Sequence, residues 1–292
     1  AALGADPYAA RLPCRYSGSP YRLTPARIDP PRRSGNVVTL RQALATSNNQ
    51  CLAQLAVHSV GVELLLETIS RFGWTHEPAP AHAAGTVDDP EGDRFGVGKL
   101  GCGLAGCQIT PLHAAQLAGA LAFGEVVEPR WIDRIVDASG QELALPAIAA
   151  PRQVLSPELA GELRGMLVDT TTRGTARRAF RARGGRPLLG PVQVAGKTGS
   201  LSGTDPKGRY EWFIGVAPAE APRIAVAVVV VQRARWWRNA SQVASEVLRG
   251  VFCERGVCSA DAALRLVTAP AAATQAVLAP PAADPDENLL LD

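Results

Sequence analysis

Three consecutive segments in the second half of the chain have the composition of β-strands, and their close spacing constrains the fold more than any other feature. Residues 194–202, 210–217 and 223–232 are rich in Val, Ile, Trp and Phe and are bounded by Gly and Pro. The connections between them are too short for the crossover helix that parallel neighbours need. The sequence therefore predicts three antiparallel strands side by side in one sheet.

The first of these segments carries Lys197, Thr198 and Gly199 within an otherwise apolar run. On an edge strand, Lys197 and Thr198 can present a cation and a hydroxyl group to an anionic or acyl ligand. Gly199 removes the side chain at a position where the backbone of a ligand must come close. Such a triplet also occurs in ordinary edge strands, so its meaning depends on motifs elsewhere in the chain.

The segments around these strands carry the start signals of helices. Thr39 is a plausible N-cap, Thr110 and Ser156 are each followed by proline, and Asn239 with Gln242 forms a capping-box pattern. We predict helices over residues 39–45, 50–59, 62–71, 110–123, 156–170 and 239–252, a strand over 131–136 and a loop over 75–108.

The composition suits a soluble globular protein, with 47% hydrophobic and 20% charged residues. We expect one folded domain over residues 1–258 and an Ala/Pro-rich acidic tail over 259–292, disordered beyond about residue 265. The longest unbroken aliphatic run, residues 224–231, has 8 residues. A membrane helix needs roughly 18, so we do not expect this stretch of chain to span a bilayer.

The charge is nearly balanced, at +3, and gives no indication of a nucleic acid partner. Arginine is nevertheless concentrated in one segment, at positions 173, 177, 178, 181, 183 and 186. This segment is either a solvated loop or a basic rim that faces an anionic polymer or a membrane surface.

The six cysteines permit disulfides and an oxidising compartment, although six cysteines allow 15 pairings. The closely spaced pairs Cys102/Cys107 and Cys253/Cys258 are the favoured ones. We do not expect a metal site, because no histidine stands near either pair at ligand spacing. The histidines are dispersed, at positions 58, 76, 82 and 113.

A second informative stretch places Ser47 and Asn49 where one predicted helix ends and the next begins. Ser and Asn are common helix caps, and capping alone would explain this pair. A Ser-x-Asn element in a helical region followed by Lys-Thr-Gly on a strand is, however, the order found in serine acyl-transfer enzymes that act on penicillin and D-alanyl peptides.

On these motifs the chain resembles the transpeptidase domain of penicillin-binding proteins. The resemblance covers residues 1 to about 252. It includes the run over 40–73, the Ile-Thr-Pro-Leu-His-Ala-Ala block at 109–115, Gly-Thr-Ala at 174–176, Lys-Thr-Gly-Ser at 197–200, and Trp-Phe-Ile-Gly-Val-Ala-Pro at 212–218. It implies an α/β fold in the broad sense (α+β): an antiparallel sheet flanked by helices, beside a mainly helical lobe, with the family's N-terminal part missing.

The chemistry implied by the resemblance is a serine acyl-enzyme route on D-Ala-D-Ala stem peptides, which β-lactams also enter. Ser47 would relay protons to the leaving group, and Asn49 would bind the substrate amide. Lys197 would supply positive potential. Thr198 would bind the terminal carboxylate, and the backbone N–H of Ser200 would be one oxyanion donor. The resemblance further implies a location in the periplasm, membrane attachment only through a segment absent from this chain, and no cofactor.

The chain lacks the nucleophile motif of that family. Its three lysines, at positions 99, 197 and 207, have Gly, Val and Thr three residues earlier, so no Ser-x-x-Lys occurs. We expect the nucleophile to lie just upstream in the parent protein, in which case these 292 residues alone are inactive. The alternatives are a noncatalytic scaffold or sensor that binds peptidoglycan or a cell-wall partner, and a β-lactamase.

Overall fold

The structure is a computed structural model that describes residues 1–233 and 238–263. Its α-helices, in chain order, are α1 (Ala2–Ala5), α2 (Leu40–Thr46), α3 (Asn49–Leu55), α4 (Gly61–Arg71), α5 (Arg94–Gly101), α6 (Pro111–Phe123), α7 (Pro157–Thr172) and α8 (Ala240–Phe252). Its strands are β1 (Pro13–Tyr16), β2 (Asn36–Thr39), β3 (Thr86–Val87), β4 (Cys107–Gln108), β5 (Glu125–Val126), β6 (Ile135–Val136), β7 (Glu142–Leu143), β8 (Arg152–Gln153), β9 (Ala195–Thr204), β10 (Lys207–Ala217), β11 (Ile224–Gln232), β12 (Cys253–Glu254) and β13 (Val257–Cys258). The α+β fold class predicted from the sequence is confirmed.

The three predicted strands form one antiparallel sheet in the order β11-β10-β9, as predicted. Gly215 of β10 pairs with Gly196 of β9 and with Val226 of β11, which fixes the register across the sheet. Because side chains alternate between the two faces of a strand, neighbouring residues of β9 serve different layers of the domain.

One face of the sheet packs against α8. Phe213, Leu248 and Phe252 are fully buried there, in one apolar cluster with residues of the segment that precedes β9. Helix α8 is held at its start by a capping box between Asn239 and Gln242. Burial of each such large side chain contributes about 1.5–3 kcal/mol relative to exposure, so this cluster is a main anchor of β9 and β10.

The opposite face packs against α6 and α7. Ala118 of α6 lies in one buried cluster with Ala195 of β9, Val216 of β10 and Ala219. Thr110 and Ser156 cap the starts of the two helices, as predicted, with proline at the first helical position. Ala118 and Ala195 let α6 approach the sheet closely, while α7 packs against the same cluster through Leu167 and Val168.

The predicted helices are all present, and the majority of their ends lie within one or two residues of the prediction. Two other predictions are wrong. Helix α5 lies inside the segment predicted as a loop, and the predicted strand over 131–136 is reduced to β6. The glycines that indicated a loop are instead packing positions of α5. A Cβ on Gly98 would touch Ala53 of α3, and one on Gly101 would overlap Ala56.

The disulfide pairing corrects one prediction and confirms another. Cys253 and Cys258 are joined, as predicted. Cys102 and Cys107 are free, and the remaining disulfide joins Cys14 to Cys51. Cys14 and Cys51 are 37 residues apart in sequence but meet in a buried cluster between β1 and α3, a proximity that only the tertiary fold creates.

One helical run, Asn49–Arg71, has 23 residues and would be long and apolar enough to cross a membrane by length and composition alone. Polar residues interrupt this run, so it contains no long unbroken aliphatic stretch. Those residues tie its first part to protein: Gln50 Nε2 donates to the carbonyl oxygens of Ser17 at 2.9 Å and Ser19 at 2.8 Å. These contacts are typical of a helix that belongs to a protein lobe.

The expected tail over 259–292 and its disorder beyond residue 265 fall mainly outside the described residues, and the boundary at residue 258 stays a prediction.

We expect Gly196→Ala to destabilise the domain by about 1–3 kcal/mol, because overpacking a core costs that much. A Cβ at this position would overlap the Phe213 ring and lie 3.0 Å from the carbonyl oxygen of Ile214. The matched control is Gly250→Ala in α8, where no atom lies within 4 Å of the added Cβ. That change should stabilise by up to about 1 kcal/mol through helix propensity. Denaturant unfolding measures both, and equal stability of the two variants would contradict the packing of Phe213 under β9.

Candidate active site

Lys197 and Ser47 meet in the structure although 150 residues separate them in sequence. The Lys197 ammonium donates to Ser47 Oγ at 2.9 Å and to the carbonyl oxygen of Thr198 at 2.7 Å. Lys197 comes from β9, on the face toward α7, whereas Ser47 ends α2. The hydrogen bond therefore joins the sheet to the helical lobe.

Ser47 projects from a break between two helices. Its backbone is left-handed, with φ 56° and ψ 49°, and it ends α2, while Asn48 is the N-cap of α3 and accepts a hydrogen bond from Cys51 N. The left-handed conformation costs a non-glycine residue roughly 1–2 kcal/mol. A strained serine whose hydroxyl contacts a buried ammonium is a candidate functional group.

The half-buried Asn49 is placed differently from Ser47. Its Nδ2 donates to the carbonyl oxygen of Tyr21 at 2.9 Å. Within residues 1–233 and 238–263, no hydrogen bond joins Asn49 to Ser47 or Lys197. The capping explanation considered for the Ser-x-Asn pair applies to Asn48, the residue between them, which is almost completely buried.

Burial lowers the pKa of Lys197 from 10.5 to about 8, because removing an ammonium from water disfavours its charged form. The free Cys102, at the end of α5, lies close enough for its charge to interact with that of Lys197. Burial raises the pKa of the Cys102 thiol to about 11, so at neutral pH it is a neutral neighbour. The close cysteine spacing predicted a structural role for Cys102 and missed its position beside Lys197.

Thr175 is a candidate site residue. The Gly-Thr-Ala block that contains it belongs to the family resemblance, but the sequence assigned no role to Thr175 itself. Its Oγ1 lies 2.6 Å from Thr198 Oγ1, in a hydrogen bond that either hydroxyl can donate. Its backbone N–H donates to the carbonyl oxygen of Ala45 at 3.1 Å. A Cβ on Gly174 would overlap that same carbonyl oxygen. One turn therefore clamps the end of α2 to β9 beside the site.

Gly199 and Ser200, which follow Thr198 on β9, are exposed. Ser200 Oγ accepts a hydrogen bond from Arg209 Nε of β10 at 2.7 Å. Gly199 lies opposite Trp212, whose Cβ would be 3.3 Å from an added Cβ. This part of β9 is thus open to a ligand, with a cation on the neighbouring strand.

An ion-pair network fixes α2 against α7 near Ser47. Asp169 accepts from Arg41 Nε at 2.6 Å and from Arg173 Nη2 at 2.7 Å. Burial alone would raise the pKa of Asp169, but the hydrogen bonds and charges of the two arginines outweigh it, so the pKa is lowered. Arg41 also donates to the carbonyl oxygen of Gly165, which holds the helix that carries Ser47.

The described part of the chain contains no cluster of three or more His, Cys, Asp or Glu side chains that could hold a metal ion. His113 is buried in α6, where burial lowers its pKa. His58 lies 3.0 Å from Asp29. The side chains around Ser47 and Lys197 offer hydroxyl groups, an ammonium and a thiol.

Comparison with known families matches residues 13–252 to the penicillin binding protein transpeptidase domain. The peptidoglycan D,D-transpeptidase PbpA of Mycolicibacterium smegmatis is 31% identical over 205 residues, covering 67% of this chain and 39% of that protein. The PbpA of Mycobacterium tuberculosis is 29% identical over 199 residues, covering 66% of this chain and 38% of that protein. The chain thus spans less than half the length of these relatives.

Solved structures give the same fold. The ceftriaxone acyl-enzyme complex of penicillin-binding protein A from Mycobacterium tuberculosis is 26% identical, with a TM-score of 0.61, covering 78% of this chain and 52% of that one. The imipenem complex of the same protein is 24% identical, with a TM-score of 0.67, covering 85% and 56%.

We expect Lys197 to titrate near pH 8 in the folded protein. Carbon-13 NMR at lysine Cε can follow it directly, since the chain has only three lysines, and Lys197→Met identifies its signal. Ser47→Ala should lower the midpoint further, because it removes a hydrogen bond to the charged form. A midpoint near 10.5 would contradict the burial of the ammonium.

The same shift predicts the pH dependence of stability. Between about pH 8 and 10.5 the unfolded chain binds more protons at Lys197 than the folded one. The free energy of unfolding of the wild type, measured relative to Lys197→Met, should therefore rise with pH through this window.

Proposed function

This chain belongs to the penicillin-binding protein transpeptidase domain family, and on that premise we propose that it is part of a D,D-transpeptidase that cross-links peptidoglycan stem peptides. The substrate is a stem peptide that ends in D-Ala-D-Ala. β-Lactams would bind at the same site; the structural relative forms acyl-enzyme complexes with ceftriaxone and imipenem. Such an enzyme works at the extracytoplasmic face of the inner membrane and needs no metal or cofactor.

The hydrogen bond from Lys197 to Ser47 is the observation that carries this proposal. A hydroxyl has one hydrogen to donate and two lone pairs. Because Ser47 Oγ accepts from the ammonium, its own hydrogen remains to be donated to the departing amine of the substrate. Ser47 then regains a proton through Lys197, whose pKa of about 8 suits exchange near neutral pH.

The edge position of β9 supports binding of an extended peptide. Among the described strands β9 pairs only with β10, so a ligand backbone can add along its outer side. Thr198 would bind the terminal carboxylate, Gly199 would allow close approach, and the N–H of Ser200 would donate to the oxyanion. Asn49, held at Tyr21 by one N–H, has a second N–H and a carbonyl oxygen for the substrate amide.

In this proposal the nucleophile lies outside residues 1–292, because this sequence contains no Ser-x-x-Lys. A serine oxygen attacks the carbonyl of the D-Ala-D-Ala bond and forms an ester, while the terminal D-Ala leaves as an amine after gaining a proton. The amine of a second stem peptide then attacks the ester and releases the serine. The missing motif is also compatible with a second candidate, a noncatalytic scaffold or sensor that binds stem peptides.

We predict that the 292-residue chain alone is not acylated by a fluorescent penicillin, because no serine nucleophile of the required motif is present. The reading frame upstream of Ala1 should encode a Ser-x-x-Lys, and the extended protein should form a stoichiometric, hydroxylamine-sensitive adduct. In the extended protein, Lys197→Ala and Ser47→Ala should each slow acylation by roughly 10²–10⁴-fold, the range of acid–base contributions.

The matched control is Lys207→Ala, which removes an exposed lysine at the start of β10 and should leave acylation unchanged. Stoichiometric labelling of the 292-residue chain would refute the assignment of the nucleophile. An upstream start codon without the motif would instead favour the scaffold.

We further predict that Thr175 helps Thr198 to bind the substrate carboxylate. Thr175→Val removes the 2.6 Å hydrogen bond and should weaken binding of a labelled D-Ala-D-Ala pentapeptide by about 2- to 10-fold, the usual net value of one hydrogen bond. Thr175→Ser keeps the hydroxyl and should bind as the wild type does. Fluorescence anisotropy measures both, and equal weakening by the two variants would contradict a specific role of the hydroxyl group and indicate disturbed packing of the turn instead.

A further inference from the structure

The arginine-rich segment over residues 173–186 is a continuous basic surface. All six of its arginines are exposed, and the segment contains no Asp or Glu. Their positions are 173, 177, 178, 181, 183 and 186. This segment is called the arginine rim below.

Two members of the arginine rim are used in the structure itself. Arg173 pairs with Asp169, and Arg181 donates to the carbonyl oxygens of Gly185 and Thr172. Within residues 1–233 and 238–263, no ion pair is formed by the other four, at positions 177, 178, 183 and 186. Four guanidinium groups are thus left for a partner outside the described chain.

The arginine rim is rigid where it carries Arg177 and Arg178. Ala176 and Phe180, on either side of them, are buried in the core cluster beneath the sheet. Arg177 N donates to Gly174 O, and Ala179 N donates to Ala176 O. A buried residue on each side therefore fixes the backbone of the two exposed arginines. A ligand that binds them loses little free energy to the ordering of this backbone.

The position of the arginine rim links it to the site. Thr175, two residues before Arg177, hydrogen-bonds Thr198 on β9. Two residues span at most about 7 Å of chain. A peptide whose terminal carboxylate lies at Thr198 therefore ends within a few ångströms of the turn at Thr175.

We infer that the arginine rim binds the internal carboxylates of an acidic peptide that lies along the outer edge of β9. This inference rests on the proposed function and adds a charge preference to it: the favoured substrate is a stem peptide with free acidic side groups. A membrane surface fits less well. Membrane-binding basic segments present apolar side chains next to the cations, whereas Phe180, the one large aromatic residue of the rim, is buried.

The test compares two labelled pentapeptides ending in D-Ala-D-Ala, one with two free internal carboxylates and one with both amidated. The wild-type chain at about 50 mM salt should bind the acidic peptide roughly five- to tenfold more tightly, the combined value of two exposed ion pairs. Arg177→Ala/Arg178→Ala should remove this preference without changing the affinity for the amidated peptide. About 0.5 M salt should also remove it through screening.

The chain offers a matched control in Arg32 and Arg33, another adjacent, exposed arginine pair. Arg32→Ala/Arg33→Ala changes the net charge equally and should keep the preference. Equal loss in the two double variants would overturn the inference, because only overall charge would then matter. Loss of binding to anionic phosphatidylglycerol vesicles, with peptide binding unchanged, would overturn it in favour of a membrane surface.

These outcomes differ from a failure of the proposed function. If the wild type binds neither pentapeptide, the stem-peptide assignment itself is wrong, and the inference falls with it. If it binds both with equal affinity, the assignment stands and only the role of the arginine rim is overturned. Thermal unfolding of each variant at the wild-type temperature confirms that the comparison is made between folded proteins.

Discussion

A buried ammonium group needs hydrogen-bond acceptors, and the site is organised around meeting that need at Lys197. Its two acceptors are Ser47 Oγ, from the helical lobe, and the carbonyl oxygen of Thr198, from its own strand. Burying an unpaired ammonium would cost several kcal/mol. The interaction therefore constrains where α2 has to end relative to β9, and the left-handed backbone of Ser47 is the local cost of that placement.

The strand that carries Lys197 is positioned by different packing on its two faces. Ala195 lies in one apolar cluster with residues of α6 and α7 on one face, and Gly196 lets the Phe213 ring pack tightly on the other. The alternation of the strand then directs Lys197 toward α7 and Ser47, and Thr198 toward the turn at Thr175. A shift of one residue in register would exchange these directions, so the apolar core determines which side chain reaches which partner.

Local sequence signals predicted the sheet and the caps, and the family resemblance implied that Ser47 and Lys197 share a site, but neither predicted the contacts that depend on close packing. Cys102 was assigned to a disulfide by its spacing from Cys107, whereas it lies free beside Lys197. The glycines of α5 indicated a loop because their use in helix packing is visible only with α3 in place. The hydrogen bond from Asn49 to the carbonyl oxygen of Tyr21 joins residues 28 positions apart, and no periodic sequence pattern predicts it.

The burial of the ammonium group at position 197 also explains why lysine suits this position better than arginine. An arginine would remain charged at any physiological pH, because its pKa lies above about 12. Lysine begins from 10.5, and burial brings its pKa to about 8. At neutral pH most molecules then hold the positive charge that an anionic substrate requires, yet a proton can leave at modest energetic cost. In the proposed function Ser47, which accepts a hydrogen bond from this ammonium, would couple the charge to the reacting bond, so that one half-buried lysine would supply both attraction and proton transfer.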